Sequence, residues 1–398
     1  MADAAGVITD YLNEQYVIDT LVELLKIPTE VPMGIDTLIA PDDPKLVHYV
    51  QKVVRPELQA IGVHGIIDAP LNQLVVRMGQ GKSGKVLLVM AYTPSQHSNM
   101  MSDPLSGRIA MGTEQGFDEP CAFGQGATQN KSHMAAMLGV LKMLVDSGTE
   151  LDGTLYFAVN NEGRSSHQCS DAILATLPTK PTFGIVLQRT DFRLQLGNRG
   201  RVDVNVTVRG QASHSSRPDL GHNAIRGANE AINRIAKLKF TKTHPQLGGQ
   251  HAEPYQVSYS PLAPHTLPDT ARILVDRRLL PGDDIDEAVT EIRQAVGDLR
   301  PFEVTVERGV HMLPALVEPS DPGVKTLTAA HVAVFGTPPE HYYHRGSYDA
   351  GGPNAHGVPT VQYGVNGANT LLGEDFVPLS GVIAEAEVLA TLVLDYLA

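Results

Sequence analysis

The sequence contains only two cysteines, Cys121 and Cys169, among its 398 residues. Two cysteines cannot supply the set of disulfides that stabilises small secreted domains, so a disulfide framework is excluded and a reducing compartment is expected. The first residues also lack a basic segment followed by an apolar one, so we expect no secretory signal peptide. We therefore predict a cytoplasmic protein.

Positive charge is also scarce. Lysine and arginine number 31 against 44 aspartates and glutamates, which gives a net charge of −13, and no basic run is present. This balance argues against nucleic acid and against an anionic membrane surface as partners. No apolar run reaches the roughly 20 residues that are needed to span a bilayer. A small anionic substrate remains compatible with the net charge, because local fields can oppose it.

Three nearly continuous apolar runs, residues 85–90, 154–159 and 183–187, predict strands that are buried on both faces. Such strands are typical of a largely parallel sheet covered by helices. A helical pattern from His133 to Val145 lies between them and ends at Gly148. The buried pattern returns in residues 358–363 and in a final helix over residues 382–397.

Between residues 194 and 308 the pattern changes to strict alternation of apolar and polar residues, as in Val202, Val204, Val206 and Val208. Such strands suit an antiparallel sheet with one face exposed to water. Helices near 223–238 and 285–296 separate the strands. Since the chain is too long for one ordinary core, we predict an α/β protein with two domains. Residues 1–193 and 309–398 form a mostly parallel sheet covered by helices, and residues 194–308 form an inserted α/β-sandwich domain.

Seven motifs follow one another along the chain, in residues 21–28, 124–131, 210–218, 221–225, 276–282, 346–350 and 357–364. Together they resemble the peptidase and amidohydrolase family of acetylornithine deacetylase, succinyl-diaminopimelate desuccinylase, aminoacylase and glutamate carboxypeptidase. The resemblance covers nearly the whole chain. It implies a zinc-exopeptidase-like catalytic domain with an inserted lid domain, and a homodimer formed through that lid.

The resemblance also implies two bridged metal ions, usually zinc, and a glutamate base that activates water. The corresponding positions of this sequence hold Tyr92 and Pro94 (or Ala91 and Thr93 if the register shifts by one), Gln129, Asn161, Glu162, Gln188 and Thr370. Only Glu162 keeps a carboxylate. One carboxylate cannot hold two divalent cations, so we predict no metal and no cofactor.

The exchanges that produce Gln129, Asn161 and Gln188 keep hydrogen-bonding groups while they remove negative charge. If metal charge is lost at the same time, the pocket stays near electrical balance. We interpret these three amides as orienting groups of a pocket that is still used. Glu162 is a candidate acid or base there, and equally a structural acceptor for backbone amides.

The residues that hold the substrate in the family are better preserved. The resemblance implies that His214 contacts the reacting carbonyl and that His265 replaces an asparagine. The other predicted substrate contacts are Tyr92, Arg199, Arg278, Ser347, Asn366 and Thr370. Arginine pairs with a carboxylate through two parallel hydrogen bonds. Because Arg277 and Arg278 point to opposite faces of a strand, either one is a candidate for a solvated charge.

Three functions remain open. The leading hypothesis is metal-independent hydrolysis, or related C–N bond chemistry, on a small carboxylate-bearing amide, imine, cyclic or ureido compound. The second is a non-catalytic binding or scaffold protein. The third is a conventional metal-dependent amidohydrolase with relocated ligands, for which the candidates are His97, His133, His167 and Cys169. Lys131, Arg164 and Arg189 are cations that could polarise a carbonyl in place of a metal.

Overall fold

The computed structural model describes residues 4–31, 39–95, 101–162, 166–368 and 373–398. The chain divides into two compact units. The larger unit contains Met1–Gly197, Leu316–Tyr342 and Gly352–Ala398, and the smaller unit contains Asn198–Ala315 and Tyr343–Gly351. The smaller unit shares residues 198–308 with the predicted inserted domain. No helix within the described ranges is long and apolar enough to cross a membrane.

The helices of the described residues are α1 (Ala4–Tyr11), α2 (Glu14–Leu25), α3 (Pro44–His48), α4 (Arg55–Ile61), α5 (Ser132–Ser147), α6 (Gln168–Thr176), α7 (Ala224–Ile235), α8 (Ile285–Val296), α9 (Pro322–Phe335), α10 (Gly351–Ala355) and α11 (Leu379–Leu397). π-Helical turns at Tyr49–Val54 and Ala127–Lys131 precede α4 and α5, and short 3₁₀ turns occur at Thr113–Gln115 and Pro218–Leu220.

The strands are β1 (Ile66–Ala69), β2 (Gln73–Met78), β3 (Val86–Tyr92), β4 (Arg108–Met111), β5 (Pro120–Phe123), β6 (Thr154–Asn160), β7 (Phe183–Leu187), β8 (Leu194–Asn198), β9 (Gly200–Arg209), β10 (Ser213–His214), β11 (Thr243–His244), β12 (Gly248–Gly249), β13 (His251–Ser260), β14 (Thr266–Leu267), β15 (Thr270–Leu279), β16 (Glu303–Met312), β17 (Ala315–Leu316), β18 (His341–His344), β19 (Thr360–Tyr363) and β20 (Phe376–Pro378).

The larger unit is built on a sheet with the strand order β1-β2-β6-β3-β7-β19-β8-β17, in which β18 also pairs with β8. The central strands β6, β3, β7 and β19 are parallel to one another. Every residue of these strands is buried, as expected for strands that are covered on both faces. The predicted fold class, a mostly parallel sheet covered by helices, is confirmed.

Helix α5 follows the Gly124 loop and is buried over most of its length. A helix that is apolar on nearly all sides belongs in the interior of a large domain. It ends at Gly148, whose φ of 63° is the left-handed conformation that favours glycine at a helix C-terminus. The predicted end of this helix is therefore correct, and α11 packs beside it in the same layer.

The smaller unit is an antiparallel sheet of order β13-β15-β9-β16 with α7 and α8 on one face. The alternating valines of β9 point into its core, together with Ile273 of β15 and Ile292 of α8. The sequence patterns predicted β9, β15 and β16 but not β13. Most residues of β13 are exposed, because it lies at an edge of the sheet, and so it lacks the alternation of a half-buried strand.

The contact between α9 and β7 leaves no room for a side chain at Gly323. A Cβ atom there would lie 2.1 Å from the ring of Phe183.

We expect Gly323→Ala to lower the free energy of unfolding by about 2 kcal/mol, because overpacking forces the backbone or the ring to move. Circular dichroism in a denaturant series measures this, since the chain has no tryptophan. Lys325→Ala on the same helix is the control, and equal stability of the two variants would contradict the packing argument.

Candidate functional site

The structure divides the predicted site residues between the two units. The larger unit contains Tyr92, Gln129, Asn161, Glu162, Gln188 and Asn366, and the smaller unit contains Arg199, His214, His265, Arg278 and Ser347. Thr370 lies outside the described residues, as does His97.

The parallel strands bring the predicted residues of the larger unit to one edge of the sheet. Tyr92 is the last residue of β3 and is in register with Asn160, the last residue of β6. Gln188 directly follows β7, and Asn366 comes shortly after β19. In open α/β sheets, ligands bind at the carboxyl ends of the strands. The sequence motifs and the sheet topology therefore indicate the same edge.

Asp375, which is only 1% exposed, is hydrogen-bonded to the loop of residues 124–131. Its carboxylate accepts hydrogen bonds from the amides of Gly126 (2.6 Å) and Thr128 (3.2 Å) and from the Thr128 hydroxyl (3.2 Å). Burial raises the pKa of Asp375 to about 6, although these hydrogen bonds act in the opposite direction. The sequence analysis missed Asp375, since it lies far from the loop along the chain and outside every motif.

Lys131 is a second charged group beneath the same loop. Its side chain is fully buried, and Nζ donates a hydrogen bond of 2.7 Å to the carbonyl of Ile27. Burial lowers the pKa of Lys131 to about 7, and the negative charges of Asp375 and Glu30 oppose this effect. Because its amine is hydrogen-bonded to the carbonyl of Ile27 inside the core, Lys131 anchors the loop of residues 124–131.

Glu162, the predicted acid or base, contacts the start of a helix. It is buried, and its Oε2 accepts hydrogen bonds from the amides of Cys169 (3.0 Å) and Ser170 (3.1 Å) in the first turn of α6. The first amides of a helix have no partner within the helix and carry a partial positive charge, so a carboxylate there is stabilising. One oxygen of Glu162 is therefore engaged by the fold.

Asn161 supports the turn between β1 and β2. Its Nδ2 donates hydrogen bonds to the carbonyls of Leu71 (2.9 Å) and Asn72 (2.7 Å), two residues whose φ angles of 64° and 57° are left-handed. A glutamate at this position would place a carboxylate against two carbonyl oxygens, whereas an amide can donate to both. An amide at position 161 thus has a structural reason.

The other predicted amides of this unit are also near strand ends. Gln188 donates through Nε2 to the side-chain oxygen of Gln362 on β19. Gln129 is half-buried within the π-helical turn Ala127–Lys131. The structure therefore brings Gln188 into contact with a strand neighbour and keeps Gln129 at the loop that precedes α5.

The candidate relocated ligand His133 is committed to a buried pair. Its Nδ1 lies 2.7 Å from Glu385 Oε1, and its Nε2 lies 3.1 Å from the carbonyl oxygen of Thr128. Both side chains are fully buried. Since both ring nitrogens have hydrogen-bond partners, His133 offers no free lone pair to a metal.

A cavity of about 750 Å³ opens beside these strand ends in the larger unit. Phe117 and Phe376 form an apolar wall, with their rings 5.5 Å apart in an edge-to-face arrangement. The polar wall includes Asn366 and Arg189. Arg189 Nε donates a hydrogen bond of 2.9 Å to Asp191. Asn366 Oδ1 is buried and accepts no hydrogen bond within the described part of the chain. This oxygen faces Gly381 of α11, where an added Cβ atom would lie 2.4 Å from it.

In the smaller unit, His214 is exposed on β10, and its tautomer is determined by its neighbours. Nδ1 accepts a hydrogen bond of 3.2 Å from the backbone amide of Ser216. A backbone amide can only donate, so Nδ1 carries a lone pair and the proton of the neutral ring is on Nε2. His265 lies nearby with its ring centroid 6.1 Å away. His214 can therefore donate a hydrogen bond from Nε2 to an acceptor in solution.

The structure distinguishes the two adjacent arginines of β15. Arg277 is 1% exposed; its Nη2 pairs with Glu291 at 2.8 Å, and its guanidinium stacks on Phe240 at 4.2 Å. Arg278 points to the other face of the sheet and pairs with Asp276 at 2.7 Å. Arg277 is therefore part of the core, and Arg278 is the one on the open face.

Arg199 lies near Arg278 and contacts the segment that contains Ser347. Its Nε donates a hydrogen bond of 2.7 Å to the carbonyl of Arg345, and its Nη1 donates one of 2.9 Å to the carbonyl of Gly249. Burial lowers the pKa of Arg199, and the positive charges of Arg278 and Arg345 lower it further. The predicted carboxylate-binding arginines are therefore neighbours within one unit.

Comparison with known proteins supports this architecture. Residues 196–302 match the peptidase dimerisation domain of the M20 family. The uncharacterized protein YgeY of Escherichia coli (strain K12) is 22% identical over 347 residues, which cover 81% of this chain and 82% of that protein. The putative succinyl-diaminopimelate desuccinylase DapE of Mycobacterium tuberculosis (strain H37Rv) is 23% identical over 329 residues, which cover 80% and 84%.

Among solved structures, an M20 family metallo-carboxypeptidase from Sulfolobus solfataricus matches with a TM-score of 0.76 and 16% identity, covering 96% of this chain and 99% of that chain. At this identity the match establishes the fold. The family resemblance that the sequence motifs indicate is confirmed by the sequence relatives, which also include acetylornithine deacetylases. The chain is a homologue of the M20 peptidases and amidohydrolases, with their fold and their dimerisation domain.

Proposed function

We propose that this protein acts without metal ions on a C–N bond of a small carboxylate-bearing compound, such as an activated amide, an imine, a cyclic amide or a ureido acid. Its relatives are hydrolases of the peptidase and deacetylase type. The observation that carries the proposal is the set of side chains at the positions where the family binds metal.

Those positions do not fit a centre of two divalent cations. Such a centre needs several carboxylate or imidazole ligands. Tyr92, Gln129, Asn161 and Gln188 supply none, and one oxygen of Glu162 is already bonded to the first turn of α6. Within the described ranges, no three His, Cys, Asp or Glu side chains are grouped so that they could share a metal ion. This donor set supports chemistry in which no metal activates water.

The remaining polar groups support recognition of an anionic compound that contains a carbonyl. Arg199 and Arg278 carry fixed positive charge for a carboxylate. His214 has its Nε2 proton available for a developing oxyanion, because Nδ1 is occupied by Ser216. Without a metal-bound water, unactivated peptide bonds are poor substrates, so we infer a compound with a more reactive C–N bond.

A second function, binding without turnover, is favoured by one specific observation. Glu162 and Asn161, which correspond to a metal ligand and to the general base of the family, both make hydrogen bonds that brace the fold. Side chains used in this way can be retained for stability alone. The protein would then bind its carboxylate-bearing ligand and serve as a binding or scaffold protein.

We further propose that the protein forms a homodimer through the smaller unit. That unit matches a dimerisation domain, and its strand β13 lies at the edge of the sheet. Val257 and Tyr259 on β13 are 52% and 47% exposed. An open edge strand with exposed apolar side chains is a surface that pairs readily with a second strand.

Metal independence is tested by turnover of N-acetyl, N-succinyl and N-carbamoyl amino acids before and after exhaustive chelation. We expect the rate of any substrate that reacts to be unchanged by chelation and by added zinc, and the purified protein to contain substoichiometric zinc. Stoichiometric zinc together with loss of turnover in chelator would contradict the proposal and favour relocated ligands. Ligand binding without any turnover would favour the second function.

The role of Glu162 is tested by Glu162→Gln. The amide oxygen of glutamine still accepts from the first turn of α6, so we expect the free energy of unfolding to change by less than about 1 kcal/mol. If Glu162 transfers a proton in the reaction, kcat falls by about 100-fold or more. The exposed Glu114→Gln is the control. An unchanged kcat would remove Glu162 from the chemistry and leave it as a capping residue.

The dimer is tested by Val257→Lys combined with Tyr259→Lys. Charges that must be buried at an interface disfavour association, so we expect the molar mass from light scattering to fall from twice the chain mass to 42.8 kDa. Val332→Lys, at an exposed valine of α9 in the larger unit, is the control and should leave the mass unchanged. A wild-type monomer, or a double variant that remains dimeric, would refute this interface.

A further inference from the structure

Three arginines of the smaller unit converge at the short hairpin of β11 and β12. Arg199 Nη1 donates 2.9 Å to the carbonyl of Gly249, the last residue of β12. A Cβ atom on the adjacent Gly248 would lie 3.8 Å from Arg345 Nε, so the Arg345 side chain passes over this glycine. Arg199 and Arg345 are also linked directly, through a hydrogen bond of 2.7 Å from Arg199 Nε to the carbonyl of Arg345.

Arg278 joins this group through the register of the sheet. It lies directly across from His251 of β13. The His251 ring in turn contacts Arg199, with 3.4 Å between His251 Nδ1 and Arg199 Nη1. Burial lowers the pKa of His251, and the positive charge of Arg199 lowers it further, so the imidazole adds no charge at neutral pH. Arg199 and Arg278 are therefore grouped beside one neutral histidine, and Arg345 adjoins Arg199.

The positive charge of this cluster is only partly compensated. Arg278 pairs with Asp276, and the neighbouring Arg201 pairs with Asp203. Within the described residues, neither Arg199 nor Arg345 has a carboxylate within ion-pair distance, and the hydrogen bonds of Arg199 go to backbone carbonyls and His251. Arg199, which is 8% exposed, therefore lacks a carboxylate within ion-pair distance at a place where burial makes an unpaired charge unfavourable, and the exposed Arg345 adds a second positive charge beside it.

An unsatisfied donor also points to a missing anion. Nη1 of Arg278 is buried and donates no hydrogen bond within the part of the chain that the structure describes. Leaving a buried guanidinium nitrogen without an acceptor is unfavourable, whereas oxygens of an anion would accept from it. A purely structural role explains Arg199, which clamps two backbone carbonyls. It does not explain the buried Nη1 of Arg278.

We propose that Arg199, Arg278 and Arg345 form a binding site for a doubly charged anionic group, supplied either by a phosphate or by a dicarboxylate. This deepens the proposed function, on which it rests, because the compound would carry more negative charge than a simple N-substituted monocarboxylate amino acid. Arg345, which the sequence analysis did not single out, is the residue that extends the predicted pair of arginines to a dianion site.

Titration calorimetry with three simple probes tests this site: inorganic phosphate, succinate and acetate, each at the same ionic strength set with sodium chloride. We expect phosphate or succinate to bind at least about tenfold more tightly than acetate, because charge-assisted hydrogen bonds to a second negative charge strengthen binding. Tighter binding of phosphate identifies a phosphate-bearing ligand, and tighter binding of succinate identifies a dicarboxylate. Both results support the site.

The matched variants are Arg345→Gln and Arg272→Gln. Both remove one exposed positive charge, but Arg272 lies six positions from Arg278 along β15, about 20 Å away. We expect Arg345→Gln to weaken binding of the dianion about tenfold and Arg272→Gln to leave it unchanged. Arg345 is exposed, so its loss should not prevent folding, and circular dichroism checks this.

Two outcomes would overturn the site. One is that phosphate and succinate bind no better than acetate, and the other is that Arg345→Gln binds the dianion as well as the wild type. If acetate still binds and Arg278→Gln abolishes it, the carboxylate recognition in the proposed function stands although the dianion site fails. Since these measurements involve neither turnover nor zinc, they are independent of the chelation experiment.

Discussion

The parallel pairing of β6, β3, β7 and β19 is the constraint on which the larger unit depends. These strands have no face in contact with water, so their side chains are apolar and helices must cover both sides. Because both faces of these parallel strands are buried, polar side chains can meet a ligand where the strands end, at their carboxyl ends. Tyr92, Glu162 and Gln188 lie at that edge because of this topology.

At this edge, the amide side chains make hydrogen bonds within the fold. Asn161 donates to two carbonyl groups of a left-handed turn, and Gln188 donates to Gln362. A carboxylate at position 161 could not donate to the two carbonyl groups. The polar character of this edge is therefore maintained at least in part by internal hydrogen bonds, and it does not require a bound substrate. This weakens the inference, drawn from the sequence, that a polar pocket is a used pocket.

Charge is also compensated differently in the two units. In the larger unit, the buried charges lie beneath the loop of residues 124–131, where Asp375 accepts from two backbone amides and Lys131 lies in the same buried environment. In the smaller unit, Arg199 has only neutral acceptors. Since the first arrangement is internally satisfied and the second is not, the arginine cluster of the smaller unit is the stronger indication of an anionic ligand.

The fold was predictable because it depends on patterns that are local in sequence. Continuous apolar runs identified β3, β6 and β7, and strict alternation identified β9. The edge strand β13 was not predicted, because an exposed edge imposes no burial pattern on its residues. Family motifs indicated which side chains stand at the strand ends. They gave no information on what those side chains contact, since the partners are hundreds of residues away, as Asp375 is from Gly126.

By itself, the sequence determined the α/β architecture and the family resemblance, because these follow from residue identity and periodicity. Only the tertiary structure decided that one oxygen of Glu162 caps α6, that Arg277 is buried while Arg278 lies on the open face, and that Arg345 joins Arg199. Each of these depends on a contact that forms only in the folded chain. The physical reason is that hydrogen-bond satisfaction and charge compensation are properties of neighbours in space, which periodicity along the chain does not specify.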